Sequence, residues 1–165
     1  MFDTIICTLL QRYTANPPSN KSSWYAPWNS ILSSLFPASQ GYLVSPQRRP
    51  NPNSDLTIEV LKLITLSPSL QLRTVLIVRF KNSQDWQAGI PSLEEQMKHL
   101  TVTAFSGTAI SKVYWIGVIG SHWRYGIKED NDGQDPRPLI SWHETTHDQA
   151  LYEDFQVLTT LIADM

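Results

Sequence analysis

A single cysteine in 165 residues rules out an internal disulfide, and Cys7 has no neighbour at catalytic spacing, so it reads as a core residue. Glycine is also scarce, with seven residues against eleven prolines, which points to fixed loops more than to flexible linkers. No apolar run approaches the ~20 residues of a membrane span, so no membrane partner is expected. The opening MFDTIICTLLQRY lacks a basic leader and a small-residue cleavage site. These absences predict an intracellular location, cytoplasm or nucleus. Strong charge is missing too: the net value is -2. That value hides a division, because residues 1–125 carry 11 Lys and Arg against 6 Asp and Glu, and residues 126–165 carry 2 against 9. The basic part permits a polyanionic partner, although an excess of this size is also that of an ordinary solvated surface.

Six Trp, six Tyr and five Phe supply bulky anchors for one domain spanning 1–165, in which residues 1–23 form a helix and loop docked on the body. Phe2, Ile5, Ile6, Leu9, Leu10 and Tyr13 recur at helical spacing behind Asp3, a usable N-cap. NPPSNKSS reads as a loop. In WYAPWNSILSSLFP the stripe Trp28, Ile31, Leu32, Leu35, Phe36 predicts a helix with Pro27 in its first turn and Pro37 at its end. GYLVSPQ suits a short edge strand. SDLTIEVLKLITL and LRTVLIVRFKN, rich in β-branched and aliphatic residues, predict a hairpin turning at SPSLQ. IPSLEEQMKHLTVTAF places Leu93, Met97 and Leu100 on one helical face. SKVYWIGVIG and SHWRYGI pair across a glycine-containing turn, KEDNDGQDPRP is an exposed acidic loop, and Leu151, Phe155, Leu158 and Ile162 mark a closing helix. The fold class is therefore α/β, a central mixed β-sheet flanked by helices.

Asp55 opens one long strand, the next ends in Arg79, Phe80, Lys81, and a helix with Glu94, Glu95 and Gln96 follows. With WYAPWN and its LF, the PQ of SPQRRP, SDLTI, LIVRFK, EEQMK and KVYWIGVIGS, this order over residues 24–160 resembles uncharacterised fungal proteins of the PD-(D/E)XK, or restriction-endonuclease-like, nuclease superfamily. The resemblance implies a Mg2+-dependent phosphodiesterase site in which an Asp and an acid-x-Lys triplet surround the metal. Asp55 and Lys81 fall on that pattern, and Glu94 stands where the resembling proteins usually have Asp. The second acid is replaced by Arg79, a cation where a metal ligand is needed.

Magnesium wants oxygen ligands, commonly carboxylates, while a lysine orients the attacking water. Glu59 shares a strand face with Asp55 but lies about 13 Å along it, too far to share a metal. Glu94 as a ligand, or Glu95 beside Gln96 in the catalytic set, offers rescue from the helix, and Asp85 is a third option. Without rescue, catalysis is impaired, and Arg79 and Lys81 hold a phosphate of DNA or RNA without cutting it. A plain cross-strand pair of Asp55 with Arg79 is the simpler alternative.

Farther along, His122 and Arg124 alternate onto one surface where they can meet phosphates or bases, whereas Trp123 and Tyr125 share the other face and read as core. Arg48 and Arg49 form an exposed basic pair. HETTH at 143–147 has zinc-protease spacing, since His143 and His147 at i and i+4 on a helix can share a metal beside Glu144. No His-x-x-Gly-x-x-His extension follows. Thr145, Thr146 and Asp148 suit a loop or an N-cap for a helix beginning near Gln149. Three classes thus stand: an impaired nuclease-like protein, a non-catalytic scaffold that binds a protein partner, and a zinc metalloprotease.

Overall fold

The structure, a computed structural model, describes residues 2–47, 56–66, 69–81, 86–105, 111–130, 134–144 and 149–165. In chain order these form α1 (Thr4–Ala15), α2 (Ser22–Leu35), a 3-10 turn (Ala38–Gln40), β1 (Tyr42–Gln47), β2 (Thr57–Leu66), β3 (Ser69–Lys81), α3 (Trp86–Phe105), β4 (Lys112–Ile119), β5 (His122–Glu129), β6 (Arg137–Pro138) and α4 (Gln149–Ala163). The class is α/β. Among the described residues the six strands make one mixed sheet in the order β1-β2-β3-β4-β5-β6. Every neighbouring pair is antiparallel except β3 and β4, which run parallel because α3 carries the chain back across one face.

The period-2 pattern of the strands decides what each face holds. Ile58, Leu76, Val78, Phe80, Tyr114, Ile116, Val118, Trp123 and Tyr125 are buried in the core shared with α1, α2 and α4. Ile77, Val113 and Trp115 turn the other way and pack with Met97 of α3. Residues 75–78 of β3 are consequently buried in succession, as expected of a strand covered on both sides. Trp28 of α2 sits at the centre of an aromatic cluster, edge-on to Phe80, Trp123 and Phe155 at 6.2, 5.8 and 5.7 Å between centroids. Trp123 and Phe155 stack at 4.3 Å. Such pairs add directional preference to area burial and fix how α2 and α4 lie on the sheet.

Local chemistry sets most of the boundaries. Asp3 caps α1 by accepting from the Ile5 N–H at 2.8 Å. Gly120 takes φ +62° in the turn joining β4 to β5, a conformation suited to glycine. β1 lies at the sheet edge, where Pro46 needs no ladder partner on its nitrogen.

Two helices begin earlier than their prolines suggest. α2 starts at Ser22, whose N–H is held by Asn20 Oδ1 at 2.9 Å, and Pro27 lies in its interior. α3 starts at Trp86, with Pro91 as its sixth residue. Each proline removes one helical hydrogen bond, and the additional turn carries a Trp to a tertiary contact: Trp24 is 1% exposed, and Trp86 stacks on His122.

Two loop assignments change as well. Ser69, Leu70 and Gln71 belong to β3, so the hairpin turn is shorter than SPSLQ, and the pairing shifts register between Val60 and Leu61. Lys128 and Glu129 extend β5, and Arg137 and Pro138 form β6, so KEDNDGQDPRP is not one exposed loop. Lys128 is buried, and its ammonium donates to the Gln134 carbonyl. No described helix is long and apolar enough to cross a membrane.

Candidate functional site

Alternation along β3 sends Ile77, Arg79 and Lys81 to the face that α3 crosses. The register then fixes their neighbours. Arg79 stands opposite Thr57 on β2 and opposite Gly117 on β4, and Gly117 in turn opposes Arg124 on β5. Lys81, Ile119 and His122 form the next row. Two strand spacings, roughly 10 Å, separate Arg79 from Arg124, and α3 runs between them. Gly117 makes that passage possible, since a Cβ there would come within 2.6 Å of Leu93 Cδ2.

Four successive i, i+4 pairs on α3 point in four directions. Leu93 and Met97 face the sheet and are buried. Ser92 and Gln96 face β3: Gln96 Oε1 accepts from Arg79 Nε at 3.0 Å, and Ser92 Oγ accepts from Lys81 Nζ at 2.5 Å. Arg79 Nη1 also donates to Thr57 Oγ1 at 2.8 Å. Glu94 and Lys98 face β5 and the 134–138 segment, where Glu94 Oε1 binds Arg124 Nη2 at 2.7 Å and Lys98 Nζ lies 3.0 Å from Asp135. Glu95 and His99 occupy the outer side and approach each other at 3.4 Å.

The residues singled out in the sequence are thereby sorted into three places. Arg79, Lys81 and Gln96 meet on one flank of α3, joined by Thr57 and Ser92. Arg124, Glu94 and His122 lie on the other flank, so His122 and Arg124 do not extend the Arg79 and Lys81 surface. Glu95 belongs to neither.

Glu94 and Gln96 take opposite sides of α3. Two residues on a helix are about 200° apart, so when Gln96 faces Arg79, Glu94 faces away from it. Glu95 is 63% exposed and meets Lys98 and His99 on its own helix. Asp55, Asp85, Arg48 and Arg49 lie outside the described residues.

The partners described around Arg79 and Lys81 are neutral side-chain groups. Two hydroxyls, one amide and two cations face one another there, whereas a hard divalent ion needs carboxylate oxygens. Glu59, the acid on β2, stands opposite Ile77 rather than Arg79. Among the described residues no three His, Cys, Asp or Glu side chains gather as a metal site.

On the β5 flank an aromatic wall forms that the sequence did not announce. Trp86 and His122 stack at 4.1 Å and 9°, Trp142 meets Trp86 edge-on at 5.6 Å, and the Arg124 guanidinium lies 4.7 Å over the Trp142 ring. Burial lowers the His122 pKa, partly opposed by the Glu144 carboxylate and a backbone hydrogen bond at Ile119. Trp123 and Tyr125 are buried on the opposite face. Spacing would have suggested Ser92, one turn before Gln96, but the contributions of Trp86, Trp142 and Asp135 depend on long-range packing.

HETTH is not presented on a helix at its first histidine. His143 exchanges backbone hydrogen bonds with Trp123, and its Nε2 lies 2.6 Å from Asp154 Oδ2 on α4. The i, i+4 geometry that a shared zinc requires does not start there, and His147 lies outside the described residues. No protein-family model matches this sequence, and no curated protein matches it.

Proposed function

We propose that this chain is a divergent nuclease-like protein that lacks metal-dependent phosphodiester hydrolysis and binds the phosphates of a nucleic acid through Arg79 and Lys81. The observation that carries this reading is the placement of both cations, from alternate positions of β3, on the same flank of α3, beside Gln96, Ser92 and Thr57. Hydrogen bonds to Thr57 and Gln96 orient the Arg79 guanidinium. A planar donor fork of this kind suits phosphate oxygens, and the Lys81 ammonium adds a second positive charge. Three antiparallel strands, a crossover helix and a parallel fourth strand agree with the restriction-endonuclease-like order that the sequence resembles. Arg79 stands where that chemistry wants an acid.

Fluorescence anisotropy with labelled single-stranded and duplex oligonucleotides tests the proposal. Arg79→Ala and Lys81→Ala should each weaken binding and reduce the slope of log affinity against log salt by about one. Cleavage in magnesium or manganese that disappears in Asp55→Ala and Lys81→Ala would show an active enzyme and sink the loss of catalysis. Absence of binding at low salt would sink the phosphate site.

One observation favours a second reading, a scaffold for a protein partner. Leu43, Leu63 and Leu72 are exposed on one face of β1 to β3, with Leu70 exposed two residues from Leu72. Contiguous exposed apolar surface of this kind marks contact sites. Self-association in sedimentation velocity that vanishes in Leu63→Asp/Leu72→Asp would support it, and an unchanged monomer would count against a second copy as the partner.

A further inference from the structure

The two faces of the sheet are unequally covered. α1, α2 and α4 share the core on one side, whereas α3 lies on the other and packs chiefly on β3 and β4. Lys62 fixes which way β2 points. Its ammonium donates to the Ala163 carbonyl of α4, so Leu61 and Leu63 on either side of it turn toward the α3 side. The register adds Leu43, opposite Leu61, and Leu72, opposite Leu63, with Leu70 two residues farther along β3. Leu43, Leu63, Leu70 and Leu72 are 47%, 44%, 67% and 48% exposed, an apolar strip open to solvent beside α3.

Width and area limit what fits there. Two strand spacings, about 10 Å, separate the β3–β4 seam beneath α3 from the β1–β2 seam. Helices pack side by side at roughly 8–10 Å between axes, so one further helix over β1 and β2 would touch α3 and complete the layer. Four leucines exposed to this extent present on the order of 400 Å², half of the ~800 Å² that each partner buries in a standard interface. That is the footprint of one helix, not of a whole second sheet. Pro46 interrupts the free edge of β1, which disfavours addition of a strand. Charge narrows the choice further, because β2 and β3 carry Lys62, Arg73, Arg79 and Lys81 against Glu59. The strands beneath the strip are basic.

Resting on the scaffold reading above, we propose that the strip over β1 and β2 seats an acidic amphipathic helix of a partner protein. Apolar residues spaced i, i+3 or i+4, and i+7 on that helix lie on Leu43, Leu63 and Leu72, and one flank of it rests on α3. Its acidic residues sit in the positive field of β2 and β3.

Fluorescence anisotropy on the full chain tests the inference with a labelled helix-forming peptide of about 18 residues, leucines along one stripe and glutamates elsewhere. The expected result is saturable binding, weakened about tenfold when lysines replace the glutamates. Leu63→Asp/Leu72→Asp should abolish it. Ile5→Asp, at an exposed apolar position of α1 on the other side of the sheet, should leave it unchanged. Leucine methyl signals give a reading that needs no variant: the peptide should shift those of Leu43, Leu63 and Leu72 and leave those of buried Leu10, Leu32 and Leu158 in place. An equal response to the lysine peptide, binding that survives Leu63→Asp/Leu72→Asp, or unmoved signals at Leu43, Leu63 and Leu72 would overturn the proposal. Sedimentation velocity separates that failure from failure of the scaffold reading. Leucine-dependent self-association without peptide binding overturns the helix and keeps a scaffold whose partner is a second copy, whereas a monomer that binds no peptide overturns the helix and counts against the scaffold. Leucine-dependent binding to phosphatidylserine vesicles, again without peptide binding, would overturn the helix in favour of a lipid surface.

Discussion

Arg79 joins Gln96 through a 3.0 Å hydrogen bond from Nε to Oε1, while its Nη1 reaches the buried hydroxyl of Thr57 at 2.8 Å. One guanidinium thus ties β2, β3 and α3 together. Arg79→Met preserves much of the apolar stem but leaves the Thr57 hydroxyl and the Gln96 amide without this donor. Urea denaturation should show a loss of about 1–3 kcal/mol, the cost of an unsatisfied buried polar group, with a smaller loss for Gln96→Ala. A variant as stable as the parent would show that the network serves ligand binding alone.

Gly117 lies beneath α3, with Leu93 packed over it. Gly117→Ala brings a methyl within 2.6 Å of Leu93 Cδ2, the far end of a flexible side chain, so the expected cost is about 1–3 kcal/mol. Leu93→Ala creates a cavity costing about 2–5 kcal/mol. In a double-mutant cycle the pair should cost less than the sum, because each change relieves the other. Gly126→Ala should be worse than Gly117→Ala, since its Cβ would meet the Arg137 carbonyl oxygen at 2.2 Å and neither backbone can step aside.

His122 gives a pH dependence whose direction follows from its burial. Its pKa in the folded chain lies below the ordinary value of about 6.5, chiefly because packing removes it from water. As pH falls through 6.5 the unfolded chain takes up the proton first. The stability held by neutral His122 is thus complete above that pH and declines as pH falls toward the lower folded value. Denaturation midpoints measured from pH 8 to 5 should fall less steeply in His122→Gln than in the parent. Parallel profiles would assign the acid dependence to other groups.

His143 and Asp154 tie the segment after β6 to α4 through their 2.6 Å contact, with both side chains about a third exposed or less. Replacing either should lower stability by about 1 kcal/mol, and the two losses should couple. Elemental analysis of the parent and His143→Ala should show the same zinc content. Stoichiometric zinc lost on that substitution would restore the protease.

Much of the architecture was legible in residue order because each element carries its own period. Alternation along LIVRFK placed Arg79 and Lys81 on one face and Phe80 on the other, and the apolar stripe of the closing helix put Phe155, Leu158 and Ile162 into the core. Capping by Asp3 and the turn at Gly120 were equally local. The starts of α2 and α3 were not, because Trp24 and Trp86 are drawn into helices by contacts with distant residues, Tyr13 and His122. Helical phase separates Glu94, Glu95 and Gln96 in any sequence, but which of them meets Arg79 depends on how α3 lies over Gly117. The sequence by itself determined the α/β class and the pairing of Arg79 with Lys81. Tertiary structure decided that Gln96, and neither glutamate, joins them, because the rotation of a helix about its axis is set by what it packs against.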